Sequence, residues 1–267
     1  MVSSPSPIEA ALSKDRRTVF LGIIVVAVLA WAYILYLAWQ MQGMDMGAMG
    51  NGIAMAQVRP WTGVDFGLMF LMWAVMMTAM MVPTASPMIL LFASVNRNRR
   101  EQDKPYVSTG IFLVGYVIVW SGFAVLATTA QWGLGSLALL SPTMASSSAF
   151  LGGGLLIAAG AFQWSPVKYA CLSKCRTPLG FMMTEWRDGK DGAMVMGLRH
   201  GVYCLGCCWV LMSLLFVLGV MNLLWIAALA AFVLIEKVSS RGHTVSRVTG
   251  VGLIGWGLYL IVAGAVV

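Results

Sequence analysis

Long apolar stretches alternate with short polar ones along the whole chain of 267 residues. Each apolar stretch is close to the ~20 residues that an α-helix needs to cross the hydrocarbon core of a bilayer. The pattern therefore predicts an all-α fold, a polytopic transmembrane helical bundle of about seven spans that forms a single domain over residues 1–267. The predicted spans are Thr18–Trp39, Val64–Phe92, Val107–Ala130, Ala149–Tyr169, Ala193–Gly219, Asn222–Val238 and Ser246–Val267.

Composition and charge agree with this prediction. Hydrophobic residues make up 60% of the chain and charged residues only 10%, whereas a soluble domain has about 25% charged residues. Lysine and arginine are concentrated in every second connection between spans, and the opposite connections carry only Arg59. Because positively charged loops stay in the cytoplasm, we expect the N-terminus inside and the C-terminus outside. The net charge of +7 then follows from topology, and we expect the lipid bilayer, and no nucleic acid, as a partner.

The cysteines of the chain lie in two clusters, Cys171-x3-Cys175 and Cys204-x2-Cys207-Cys208. The first falls in the segment 168–192, which the charge pattern places in the cytoplasm, where thiols stay reduced. His200 and the second cluster have the spacing i, i+4, i+7 and i+8, so they share one face of a helix. A hairpin of two helices would bring both clusters together. Grouped, reduced thiols predict a metal site whose candidate ligands are Cys171, Cys175, His200, Cys204, Cys207 and Cys208.

Methionine recurs in two further places. The predicted outer loop, residues 41–60, is rich in methionine and glycine, and the second span carries methionines at helical spacing. Thioethers are soft, uncharged ligands that suit Cu(I), so copper as Cu(I) is the predicted metal and zinc is the alternative. The predicted Cu(I) path consists of Met44, Met46, Met49, Met69, Met72, Met76, Met77, Met80 and Met81. The same methionines also have the simpler interpretation of flexible packing in a membrane helix.

Two prolines follow these methionines in the second span, Pro83 and Pro87. Proline removes a backbone hydrogen bond from a helix interior and clashes with the preceding turn. We therefore expect the second span to break or kink in its inner half, where an interrupted helix is tolerated if it lines a cavity.

Three segments resemble a known bacterial family. Trp61–Pro87 contains MMTAMM-x-P, Lys168–Leu179 reads KYACLSKCRTPL, and Gly192–Met212 contains HG-x-YCLGCCW. Together with Glu236-Lys237 they look like the family named domain of unknown function 2182, whose members are described as predicted metal-binding integral membrane proteins. The resemblance covers most of Trp61–Lys237. It implies a helical bacterial membrane protein with a metal, supports the six candidate ligands above, and carries no enzyme signature that we recognise.

These features predict a multi-pass protein of the bacterial inner (cytoplasmic) membrane that binds copper for metal transport, delivery or cuproprotein assembly. A gradient of ligand strength, from outer thioethers to inner thiolates, would set the order of transfer. Two other functions stay open at this point. One is a membrane thiol–disulfide oxidoreductase that uses Cys204 and Cys207, and the other is a structural subunit whose metal stabilises a helix hairpin. A cuproprotein, a larger membrane complex or a second copy of the chain is the expected protein partner.

Overall fold

The chain is helical throughout the part that the computed structural model describes, which comprises residues 7–48, 61–100, 107–137, 148–220, 222–239 and 241–266. No strand occurs in these ranges. The helices are α1 (Pro7–Ala48), α2 (Gly63–Arg100), α3 (Thr109–Ser136), α4 (Ala149–Phe162), α5 (Pro166–Arg176), α6 (Pro178–Glu185), α7 (Gly189–Ser213), α8 (Leu215–Leu218), α9 (Leu223–Val238) and α10 (Gly242–Val266). The predicted all-α class is confirmed.

The lengths of these helices fit a multi-pass membrane protein. Among the described residues, five helices are long and apolar enough to cross a membrane, and the number rises to six if α4 and α5 together form one bent span. Helix α9 has 16 residues, which is short of the ~20 that a crossing needs. The count of about seven spans and the side of the N-terminus therefore stay predictions.

The fourth predicted span, Ala149–Tyr169, is not one straight helix. Helix α4 ends at Phe162, and α5 continues from Pro166 at an angle of 63°. Ser165 starts the new helix, because its hydroxyl accepts a hydrogen bond from the Val167 backbone N–H at 3.2 Å and proline suits the first helical position that follows. The bend directs α5, with its cysteines, away from the axis of α4.

Helix α2 and helix α1 also differ from expectation. The second helix runs without a break through Pro83 and Pro87 to Arg100, which excludes the expected break; a kink at these prolines stays a prediction. A membrane helix tolerates proline where neighbouring groups satisfy the freed backbone. Helix α1 extends to Ala48, so the first part of the predicted loop 41–60 is helical, and residues 49–60 lie outside the described ranges.

Glycines bring α7 into backbone contact with α3. A Cβ atom at Gly197 would lie 2.1 Å from the carbonyl oxygen of Phe112, and one at Gly201 would lie 3.2 Å from that of Tyr116. No residue larger than glycine fits these positions unless the helices separate. The close approach sets the Tyr116 side of α3 against the face of α7 that carries the second cysteine cluster.

Glycines also join α4 to α10. A Cβ atom at Gly153 would lie 2.7 Å from the carbonyl oxygen of Gly257, and one at Gly160 would lie 2.7 Å from that of Gly250. The core of the bundle lies elsewhere, around α2, α3 and α7, where Trp73 is fully buried. Apolar side chains on α1 and α10 are instead largely exposed, as expected of helix faces in contact with lipid.

Candidate metal centre

One face of α7 carries three cysteines into the core. The side chains of Cys204, Cys207 and Cys208 are each 0% exposed. The thiols of Cys207 and Cys208 both donate to the backbone carbonyl of Cys204, at sulfur–oxygen distances of 3.0 Å. Their sulfurs therefore point back along the helix toward Cys204, as the i+3 and i+4 spacing predicts.

Helix α5 adds a fourth thiol from the other cysteine cluster. Helix α5 packs along α7 and brings Cys175 close enough to Cys204 and Cys207 for the three thiols to interact electrostatically. We call Cys175, Cys204, Cys207 and Cys208 the thiol cluster. The structure thus brings the two sequence clusters together, because α5 packs along α7.

Cys171 lies at the edge of the thiol cluster. It is half-buried, and a Cβ atom at Gly206 would lie only 2.7 Å from its sulfur. Because Gly206 has no side chain, the Cys171 sulfur can pack directly against the backbone of α7.

Two polar side chains from other helices, Lys237 and Tyr116, contact the sulfur of Cys204. The Lys237 ammonium nitrogen lies 2.9 Å from this sulfur and 3.0 Å from the Thr84 hydroxyl oxygen. The Tyr116 hydroxyl lies 3.1 Å from the same sulfur and donates to the Met81 carbonyl oxygen at 2.9 Å. Helices α3 and α9 therefore meet α7 at Cys204, and α2 supports both through Met81 and Thr84. The cation of Lys237 stabilises negative charge on the Cys204 sulfur.

His200 is placed beside the thiol cluster among aromatic rings. It is 2% exposed, and its ring centroid lies 6.0 Å from that of Phe112, 5.7 Å from Tyr116 and 5.6 Å from Phe181. Its Nδ1 atom has no hydrogen-bond partner in the described part of the chain. The rings explain why the histidine is buried, and the unpaired nitrogen leaves it with one free position for a ligand.

The methionines of α2 lead toward the same point. Met72, Met76, Met77, Met80 and Met81 are buried, and Met69 is half-buried. The C-terminal end of this row reaches the cluster, because the Met81 carbonyl accepts from Tyr116, whose hydroxyl contacts Cys204. The burial of these methionines is consistent both with packing in the core and with the predicted Cu(I) path. Of the methionines in the predicted outer loop, Met44 and Met46 fall near the end of α1, and Met49 lies outside the described residues.

Comparison with models of protein families matches residues 70–260 to the family PpoB2, which is described as a copper chaperone. The chain belongs to the PpoB2 copper chaperone family. The match spans most of the chain and contains the thiol cluster, Cys171, His200, Lys237 and the methionines from Met72 onward. No curated protein and no solved structure matches the chain.

The site contains thiols and thioethers, which are residue types that suit the metal of a copper chaperone family. Thiols and thioethers are the ligands that select Cu(I). Within the described residues, no group of three or more His, Cys, Asp or Glu side chains is arranged to hold a metal ion. In the described part of the chain the thiol cluster is therefore a group of neighbouring thiols and not a formed metal site, for copper or for zinc.

Sequence reasoning missed two residues of this family member's site. Tyr116 and Thr84 lie in apolar segments, where a single hydroxyl is a weak signal. Their contacts with Cys204 and Lys237 become visible only when α2, α3, α7 and α9 are packed together. Lys237 carried a stronger signal, since it closes an apolar segment as part of the Glu236-Lys237 pair.

Proposed function

We propose that this copper chaperone binds Cu(I) through the thiol cluster and delivers it to a cuproprotein. The observation that carries the proposal is the packing of α5 along α7, which sets the Cys171 sulfur against Gly206 and brings Cys175 beside Cys204 and Cys207. Two separate helices thus supply soft ligands to one point, where the three sulfurs of α7 are buried and that of Cys175 is half-buried. A site shared between two helices can release its ion when the helices separate, which suits delivery.

Charge balance favours a monovalent ion at this point. Two thiolates and one Cu(I) ion together carry one negative charge, and the ammonium of Lys237, 2.9 Å from the Cys204 sulfur, would neutralise it. A divalent ion on the same ligands would leave one positive charge in a buried site. Uncompensated buried charge is costly, so the arrangement supports Cu(I) over Zn(II).

The methionines of α2 supply a route to the thiols. Copper would pass between the thioethers of Met72, Met76 and Met80 and then reach the thiol cluster beside Met81. Thiolates bind Cu(I) more tightly than thioethers, so the transfer runs from the methionines to the cysteines. The outer methionines Met44, Met46 and Met49 would collect the ion in this scheme.

The setting of the proposal is the inner membrane of a bacterium, with the thiol cluster toward the cytoplasmic side. The distribution of lysine and arginine in the sequence supports this orientation. The recipient would be a cuproprotein that docks on the chaperone.

The thiol–disulfide oxidoreductase alternative fits the geometry less well. Thiol exchange requires access of a partner thiolate to the attacked sulfur, whereas Cys204 and Cys207 are fully buried. The structural-subunit alternative has no observation that favours it over copper binding.

The proposal is tested by metal and thiol analysis of the detergent-purified protein. After reconstitution with Cu(I) and removal of weakly held ion, we expect about one copper per chain and protection of the thiol cluster from alkylation. The variant Cys204→Ser/Cys207→Ser should lose the copper, whereas the control Ser213→Ala on the same helix should keep it. A metal-free wild-type protein that forms a reversible disulfide would instead support the oxidoreductase.

A further inference from the structure

A second buried polar group lies next to the thiol cluster. The Lys168 ammonium nitrogen and the Glu236 carboxylate oxygen Oε1 are 2.5 Å apart, and both side chains are 0% exposed. The Ser246 hydroxyl also donates to Glu236, and Lys168 also donates to the side-chain oxygen of Gln163. Helices α5, α9 and α10 and the end of α4 therefore meet at this ion pair.

The pair is linked to the thiol cluster through consecutive residues of α9. Glu236 binds Lys168 of α5, and the next residue, Lys237, binds Cys204 of α7. The last turn of α9 thus holds one side chain from each of the two helices that carry the cysteines. The position of α5 relative to α7 is therefore fixed through α9.

Helix α5 presents its cysteines on the side that this ion pair holds. Lys168, Cys171 and Cys175 have the spacing i, i+3 and i+7, so they share one face. At the other end of the helix, the Arg176 guanidinium donates to the Ser239 carbonyl oxygen, just past α9, at 2.6 Å. Cys175 thus lies between two attachments of α5 to the end of α9.

We propose that the Lys168–Glu236 ion pair is the positioning element that brings Cys175 to Cys204. Helix α5 has only 11 residues and follows a 63° bend, so α4 does not fix its position by continuing straight into it. A buried ion pair is a weak source of stability, because apolar residues of similar size often replace it without loss. In this protein the ion pair instead fixes a position, because it joins α5 to the C-terminal end of α9, whose Lys237 contacts Cys204.

A disulfide assay without copper tests the proposal in native membranes. The background Cys171→Ser/Cys207→Ser/Cys208→Ser keeps only Cys175 and Cys204, together with the Lys237 contact. Diamide then oxidises the two thiols to a disulfide, and mass spectrometry after alkylation gives the fraction joined. The test variant is Lys168→Met/Glu236→Gln, which removes the ion pair without leaving an unpaired buried charge. The matched control is Lys174→Met, since Lys174 is a half-buried lysine on the same helix.

In the neutral double variant we expect the disulfide yield to fall about fivefold or more, within the range of measured couplings between contacting residues. Lys174→Met should keep the original yield. An unchanged yield in Lys168→Met/Glu236→Gln would overturn the proposal, because the pair would then serve only to balance buried charge.

A charge swap tests the positioning role of the ion pair independently, and it serves if the neutral double variant accumulates poorly. Lys168→Glu/Glu236→Lys restores an ion pair between the same helices, and we expect it to recover the yield that Lys168→Met alone loses. A swap that stays as low as Lys168→Met would contradict the proposal.

The inference rests on the proposed function only in treating Cys175 as a copper ligand. Cu(I) competition with a chromophoric chelator on the full-cysteine protein separates the two ideas. If the wild-type chain bound no Cu(I), the proposed function would fail, and the disulfide yields would still decide the role of the ion pair.

Discussion

The ammonium nitrogen of Lys237 lies 2.9 Å from the sulfur of Cys204 inside the bundle. A charged side chain is rare at such a position unless it is paired, because the hydrocarbon region and the protein interior offer it no water. Thr84 accepts a second hydrogen bond from the same nitrogen at 3.0 Å. Lys237 is therefore directed at the thiol cluster inside the bundle.

Replacing this lysine should weaken copper binding. In Lys237→Met the complex of Cu(I) with two thiolates would keep an uncompensated negative charge. A hydrogen bond to a charged group contributes about 1.5–3 kcal/mol, so we expect the Cu(I) affinity to fall roughly ten- to a hundredfold in a chelator competition. Lys190→Met, at an exposed lysine, is the control. An affinity equal to that of the wild type would remove Lys237 from the site.

The methionines of α2 can be tested apart from the thiols. Met76→Leu/Met80→Leu keeps apolar volume and should leave expression and the thiol count unchanged, while copper loading of the thiol cluster in intact cells slows. Met212→Leu changes a buried methionine on α7 and should have no effect. Equal loading in both variants would show that Met76 and Met80 are packing residues.

Backbone contact between α3 and α7 predicts a sharp difference between two glycines. Gly197→Ala places a Cβ atom 2.1 Å from a backbone oxygen of Phe112, where no flexible side chain can yield. We expect a loss of at least ~1–3 kcal/mol of unfolding free energy, the usual cost of overpacking, together with a reduced Cu(I) capacity. Gly122→Ala on α3 meets open space and should be neutral in thermal unfolding in micelles. Equal stability of the two variants would contradict the close packing.

Sequence reasoning predicted the elements of this protein better than their contacts. Apolar length identified the all-α membrane class, and the spacing of Cys204, Cys207 and Cys208 correctly placed them on one face. The break of the fourth span at Ser165-Pro166 was missed, although serine before proline is a recognised helix start. Sequence reasoning also placed Lys168 in a charged cytoplasmic loop. The amino-acid sequence does not distinguish an exposed loop lysine from one that is buried and paired with Glu236.

Membrane orientation is open to direct chemical labelling. In a variant whose native cysteines are all serine, Gly47→Cys should react with a membrane-impermeant maleimide in spheroplasts. A chain with only Cys175 restored should react only after permeabilisation, since the lysine and arginine pattern places α5 toward the cytoplasm. The opposite result would put the thiol cluster on the oxidising side and favour the oxidoreductase.

X-ray absorption at the copper edge of the Cu(I)-loaded protein tests the central claim most directly. We expect a Cu(I) edge with sulfur neighbours at about 2.3 Å, the usual length of a metal–thiolate bond. This signal should be lost in Cys204→Ser/Cys207→Ser and kept in Ser213→Ala. Copper surrounded only by nitrogen and oxygen, or an unchanged spectrum in the double-serine variant, would contradict copper binding by the thiol cluster.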